Sequence, residues 1–259
     1  MKISVLTPSF NSEDFLERAI ESVINQDYTN WEHIVMDGGS LDGTVAILKK
    51  HTHIIWKSEK DKGQSDAMNK AFEICTGDII VYLNADDYFE PNIFSLIIES
   101  FKSNDCDMVV GNGRFIVNGI AGEQWNAETN YLKCLIHFKY TFPLNSATYF
   151  YKRKVQDQVG GFNIHNHYTM DYEFLLQTIK RFKTKKIEVC LGNFWMDGLN
   201  KTSTVNAFLE CRATAISFCR KYDFLGLLYY RAHQYQSNFL FWTNKLLTKV
   251  ELNKHKRSH

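Results

Sequence analysis

The chain has 259 residues, 44% of them hydrophobic, which is enough for one large α/β domain with an appendage and excludes a disordered or fibrous protein. Thirty Lys and Arg against 29 Asp and Glu leave a net charge of +1, so no global field draws nucleic acid and any phosphate recognition has to be local. The six cysteines form no C-x-x-C pair, Met1-Lys2 runs straight into strand-like sequence, and the longest apolar candidate, Phe224 to Tyr230, stops at Arg231. That is far short of the ~18–20 residues of a bilayer span, and predicts reduced thiols in a cytoplasmic chain.

Lys2 to Thr7 is a β-rich run ending at Pro8, and from Glu13 to Ile24 the residues Phe15, Ala19, Ile20, Val23 and Ile24 fall at helical spacing. The unit recurs. Trp31 to Met36 reads as a strand, Asp37 to Asp42 as a polar turn and Thr44 to Lys50 as a helix. Ile54 to Lys57, a polar loop and the helix Ser65 to Cys75 follow, then the strand Asp78 to Leu83. Strands alternating with helices predict βαβ units and a largely parallel sheet. Ligands of such sheets bind beyond the carboxyl ends of the strands, so the loops at 7–11, 37–42, 58–65 and 84–88 are expected to converge on one cleft.

Beyond Pro91 come a helix to about Lys102, a strand near Met108 to Val110, a polar stretch and a helix over Tyr168 to Arg181. From Asn206 the composition turns aromatic and basic, with helices expected over Phe208 to Tyr222 and Leu225 to Leu247. No Gly/Ser linker or repeat intervenes. The tail, 206–259, is therefore read as a helical extension of the same domain, 1–205, whose halves are 1–110 and 111–205.

Leu83-Asn84-Ala85-Asp86-Asp87 sets two carboxylates and an amide after an apolar strand. Hard cations such as Mg²⁺ or Mn²⁺ take oxygen ligands of this kind, with phosphate oxygens completing the shell; an ordinary Asp-Asp turn has the same sequence. In Asp37-Gly38-Gly39-Ser40-Leu41-Asp42-Gly43-Thr44 the glycines allow close backbone approach, and an Asp can accept from a nucleobase N–H, or Asp42 simply starts a helix. In the segment Ser58 to Lys70, Asp66 and Asn69 share a helical face and Lys62 offers a cation to a diphosphate; a solvated helix start is the alternative.

Thr7-Pro8-Ser9-Phe10-Asn11, the 37–44 loop, the 61–70 segment and Asn84 to Asp87 stand in the order and spacing of glycosyltransferase family 2. Over about residues 1–200 the chain resembles the bacterial members that build O-antigen, capsule and related surface polysaccharides. The resemblance implies a GT-A fold, a Rossmann-like and mainly parallel sheet flanked by helices. It also implies a nucleoside-diphosphate-sugar donor, UDP-sugar in the first instance, a divalent cation (Mn²⁺ or Mg²⁺), and a glycan or lipid-linked glycan acceptor. By position, Thr7, Pro8, Phe10 and Asn11 would lie along the nucleotide and Asp37 would contact the base. Lys62, Asp66, Asn69, Asn84 and Ala85 would complete the donor site. Asn84 and Asp86 would fill the first and last places of a D-x-D motif, making Asp86 the chief metal ligand and Asp87 its neighbour or second ligand.

After Gly160-Gly161-Phe162 the sequence Thr169-Met170-Asp171-Tyr172-Glu173 resembles the family's base motif. Positions i and i+2 of a helix point apart, so the two acids cannot both face the cleft; the resemblance, by position in the motif, implies Asp171 as the base and Glu173 as a structural or supporting acid. His165 and His167 would be ordinary loop residues or contacts to metal or diphosphate. Trp195-Met196-Asp197-Gly198, with Lys201 to Ser203, resembles a late loop closing over phosphates.

In the tail, Phe239, Leu240, Phe241, Trp242, Leu246 and Leu247 alternate with Lys245, Lys249, Lys254, Lys256 and Arg257. Such a segment suits an anionic membrane face, and equally suits packing on its own domain or on another subunit. Two rival functions share the architecture. A sugar nucleotidyltransferase would want a Gly-rich N-terminal loop carrying Arg and Lys, which Thr7 to Asn11 is not. A non-catalytic nucleotide-sugar binder would not need Asp37, Asp86 and Asp171 together.

Overall fold

The computed structural model describes residues 1–136, 145–196 and 205–234, with backbone alone over 205–208. Every residue of β1 (Ile3–Ser9) is buried, as a central strand covered on both faces requires. β1 pairs in parallel with β2 (Trp31–Asp37) on one side and β4 (Ile79–Tyr82) on the other, and β2 pairs in parallel with β3 (Ile54–Ser58). The crossovers are α1 (Leu16–Ile24), α2 (Thr44–Lys50) and α3 (Gln64–Ile74). These elements match the expected βαβ series.

The second half departs from the parallel scheme. β5 (Tyr88–Phe89) and α4 (Phe94–Ser103) lead to β6, which runs over Met108–Val117 and not merely 108–110, and which forms a hairpin with β7 (Ile120–Trp125). After α5 (Tyr131–Ile136), a 3₁₀ turn at Ser146–Thr148 enters β8 (Tyr149–Lys152), which is antiparallel to both β4 and β6. α6 (Arg153–Val159) and α7 (Met170–Arg181) precede β9 (Thr184–Met196), parallel to β6 and antiparallel to β5. The path β3-β2-β1-β4-β8-β6-β9-β5 forms one mixed sheet with β7 beside β6.

Side-chain alternation on β1 feeds both faces. Ile3 and Val5 join Ile79 and Val81 against Ala19 and Val23 of α1 and Phe94, Ile97 and Phe101 of α4. On the neighbouring strands Val35 and Ile54 pack with Leu16, Ile20, Ile47 and Leu48. β9 was not anticipated because much of it is exposed or half-buried, with three lysines or glutamates in its first five residues, so it lacks a clean period of two. Trp195 and Met196, expected in a closing loop, end this strand. Residues 197–204, including the rest of that loop, lie outside the described residues.

The chain divides into two compact units, Met1–Cys211 and Arg212–His259. In the second, the end of α8 (Val205–Tyr222) and a helix over 224–234 bury Ala215, Phe218, Cys219, Leu227 and Tyr230, while Phe224, Leu225, Leu228 and Tyr229 are exposed. Among the described residues no helix is long and apolar enough to cross a membrane. The aromatic and basic residues expected from 239 onward lie outside the described residues.

Candidate active site

The carboxyl ends of β1, β2 and β4, the loop after β3 and the start of α7 surround one cavity of about 810 Å³. Of the residues expected along a donor, Pro8, Phe10, Asn11, Asn84 and Ala85 line it. Phe10 is 62% exposed, an unusual cost for a phenyl ring that leaves its face open to a ligand. Asn11 sits at φ 47°, a left-handed conformation that Asn tolerates, and its side chain accepts from Leu41 N at 3.0 Å. Asn84 bridges two loops, accepting from Gln64 Nε2 at 2.9 Å and donating to Asp87 Oδ2 at 2.9 Å.

The other five expected donor residues do not line the cavity. Thr7 is buried, its hydroxyl sharing a 2.9 Å hydrogen bond with His33 Nε2, and burial pushes that imidazole down to about 3, keeping it neutral. Asp37 is 2% exposed; its Oδ2 accepts from Gly39 N (3.2 Å), Ser40 N (2.9 Å) and Ser58 Oγ (2.5 Å), and its Oδ1 accepts from the Ser40 hydroxyl. It organises the turn. Lys62 is exposed, and its backbone N–H donates to Asp66, whose carboxylate also pairs with Lys70 Nζ at 3.1 Å. Asn69 clamps the Gly160-Gly161-Phe162 turn by donating to Phe162 O at 2.9 Å and accepting from Phe162 N at 2.8 Å.

The two adjacent carboxylates are split between different environments. Asp86 lines the cavity. Asp87 has no exposed surface, and accepts from Asn84 Nδ2, from Asn145 Nδ2 at 2.7 Å and from Trp195 N at 3.1 Å. Burial, with Asp86 alongside, holds the Asp87 carboxyl well above the usual range even against these donors. Of the two roles expected for Asp87, neighbour of the metal ligand or second ligand, this setting suits the neighbour, since its oxygens accept from the protein interior.

On the opposite loop system, Asp171 is the second residue of α7, is half-buried and lines the cavity. Burial pushes that carboxyl up to about 6, offset in part by the Tyr172 N–H that donates to Oδ1 at 2.8 Å. Glu173, two residues on, does not line the cavity; His167 does, and His165 does not.

Several contributors escaped the sequence reading. Arg18 of α1 donates to the Asp86 carbonyl at 2.8 Å, and its guanidinium carbon lies 4.6 Å from the Tyr88 ring centre and 4.2 Å from that of Trp195. Asn145 and Ser146, which also line the cavity, come from a stretch without a motif.

A model of the family described as "Glycosyl transferase family 2" matches residues 4–170. The chain belongs to glycosyltransferase family 2. This glycosyltransferase is 27% identical over 263 residues to an uncharacterized glycosyltransferase of Mycobacterium tuberculosis, a match covering 93% of this chain and 95% of that one. It is 33% identical over 106 residues to the chondroitin synthase of Escherichia coli, spanning 39% of this chain and only 16% of that protein. Among solved structures, Staphylococcus aureus TarS 1–349 in complex with UDP-GlcNAc superposes with a TM-score of 0.70 at 17% identity, covering 91% of this chain and 73% of that one. That likeness establishes the GT-A fold.

Proposed function

We propose that this glycosyltransferase moves a sugar from a UDP-sugar to a hydroxyl of a glycan or lipid-linked glycan acceptor, with inversion, in bacterial surface polysaccharide synthesis. The observation that carries this reading is that Asp86, Phe10 and Asp171 wall one cavity while Asp87, next in sequence to Asp86, is turned inward. An Escherichia coli relative, 31% identical over 119 residues, bears the name UDP-Glc:alpha-D-GlcNAc-diphosphoundecaprenol beta-1,3-glucosyltransferase, which supports the donor and acceptor classes.

Asp86 offers a hard oxygen to the cavity, and among the described residues no group of three His, Cys, Asp or Glu side chains gathers to hold a metal. That sparse protein share suits Mn²⁺ or Mg²⁺, whose shell diphosphate oxygens and water commonly complete. When bound, such an ion neutralises charge on the departing diphosphate. Phe10 and Pro8 hold the nucleotide, and Asn11 and Asn84 shape the cradle. Asp171 takes the proton of the acceptor hydroxyl as its oxygen bonds to the anomeric carbon and the bond from that carbon to the diphosphate oxygen breaks. A carboxyl near 6 is ionised at neutral pH yet more basic than an exposed Asp, as a general base requires.

The exposed Phe224, Leu225, Leu228 and Tyr229 support a placement on the inner face of the cytoplasmic membrane, where a lipid-linked acceptor resides. The deciding experiment is a donor screen that measures free nucleoside diphosphate released from a panel of nucleotide sugars with a lipid-linked glycan. Turnover with UDP-sugars supports the reading. Binding without turnover across the panel would instead favour a non-catalytic nucleotide-sugar binder.

A further inference from the structure

The loops after β1, β2 and β3 meet edge to edge at one end of the cavity. Ser9 lies opposite Asp37, and Asp37 opposite Ser58, so Phe10, Gly38 and the 59–61 segment follow one another across the sheet. Gly38 N donates to Ser9 O at 2.8 Å, and Glu59 N to Asp37 O at 3.0 Å, which ties the three loops together. Both Gly38 and Asp61 line the cavity, whereas Asp37 does not.

A methyl group added to Gly38 would stand 2.8 Å from Asp61 Oδ2 and 3.3 Å from Oδ1. The missing side chain of Gly38 is thus the space that the Asp61 carboxylate occupies. Its Oδ1 accepts from Gly63 N at 2.8 Å, which fixes the plane of the carboxylate. Among the described residues no donor reaches Oδ2, and Asp61 and Phe10 line the same cavity.

We propose that Asp61, seated over Gly38, is the carboxylate that reads the donor's base, accepting a ring N–H through Oδ2 while Phe10 covers the base's face. The inference rests on the reading of the cavity as a nucleotide site. A carboxylate accepts and cannot donate, so it selects a base carrying a ring N–H, uracil or guanine, over cytosine, whose corresponding ring nitrogen is itself an acceptor. Asp37, turned inward with both oxygens engaged, shapes the turn that leaves Gly38 bare.

The test is calorimetric titration of the full chain, with Mn²⁺ present, by UDP, GDP and CDP. The wild type is expected to bind UDP or GDP at least about tenfold more tightly than CDP. Asp61→Asn keeps an oxygen for Gly63 N and puts an amide donor in place of Oδ2, so the loop survives while the recognition is reversed. Its preference should collapse to within about threefold or turn toward CDP. Gly38→Ala, which must displace the carboxylate, should weaken the preferred nucleotide in the same way. A preference that persists in Asp61→Asn, or that vanishes in Asp37→Asn instead, overturns the assignment of Asp61 and leaves the nucleotide site standing. Failure of all three nucleotides to bind the wild type overturns both.

Discussion

Asn145 Nδ2 lies 2.7 Å from Asp87 Oδ2, joining a turn just ahead of β8 to the acidic loop that follows β4. Together with the Trp195 N–H on Oδ1, this bond makes Asp87 the point at which three separate segments of the chain meet. Asp86 is left at the cavity wall by the same arrangement.

The two neighbours should therefore fail differently. Asp87→Ala leaves the amides of Asn84 and Asn145 and the Trp195 N–H without their acceptor, at a cost of about 2–4 kcal/mol. Thermal unfolding should show a melting temperature lower by roughly 5–15 °C. Asp86→Ala should lose less in melting temperature than Asp87→Ala, yet lose Mn²⁺-dependent UDP binding by calorimetry. Equal melting losses in the two variants would contradict the split, and unchanged UDP affinity on adding EDTA would remove the metal.

For Asp171 the sign of the pH effect is set by burial, which raises its pKa to about 6. The base form is present above that value, so kcat/KM should rise about tenfold per pH unit below it and level off above. Asp171→Asn should retain UDP binding and lose transfer by about 10² to 10⁴-fold, with Glu173→Gln losing far less. The folded state binds this proton more tightly than the unfolded chain, so the group's stabilisation is greatest at low pH and lost as pH rises through about 6. Asp171→Asn should accordingly melt above wild type at pH 8, with the gap narrowing below pH 6 and closing toward pH 4. An opposite ordering of the two acids in transfer would reassign the base.

Arg18 holds the Asp86 carbonyl from between the rings of Tyr88 and Trp195. Such outer contacts set the aim of a metal ligand and are worth about 10- to 100-fold in affinity. Arg18→Ala should weaken Mn²⁺-dependent UDP binding within that range while metal-free UDP binding changes little. A parallel loss in both measurements would mean that Arg18 serves the fold alone.

The second compact unit carries a separate expectation. Phe224→Asp combined with Leu225→Asp should reduce flotation of the protein with phosphatidylglycerol vesicles by about fivefold or more, since each removes an exposed apolar side chain and adds a negative charge. Nucleotide binding should be unaffected. Unaltered flotation would assign these side chains to a protein partner instead.

The parallel half of the sheet was legible from the chain alone, because β1, β2 and β4 are short runs rich in Ile, Val and other large apolar residues and α1 and α3 carry helical spacing. Those are local signals, set by which side chains must leave water. The positions of Pro8, Phe10, Asn84, Asp86 and Asp171 at one cavity follow from the ends of elements that could be placed in advance. What the sequence could not determine is the direction of each side chain within those loops. Asp86 and Asp87 are the same residue type one position apart, and only the arrival of Asn145 and Trp195 from distant segments turns the second inward. Asn69 looks like a free helix-face amide until the Phe162 backbone closes on it. Asp37 and Asp61 exchange prominence because a glycine between strands leaves room for a carboxylate 23 positions further along. Hydrogen bonds between residues far apart in the chain decide these orientations, and such bonds leave no periodicity in the sequence from which they could be read.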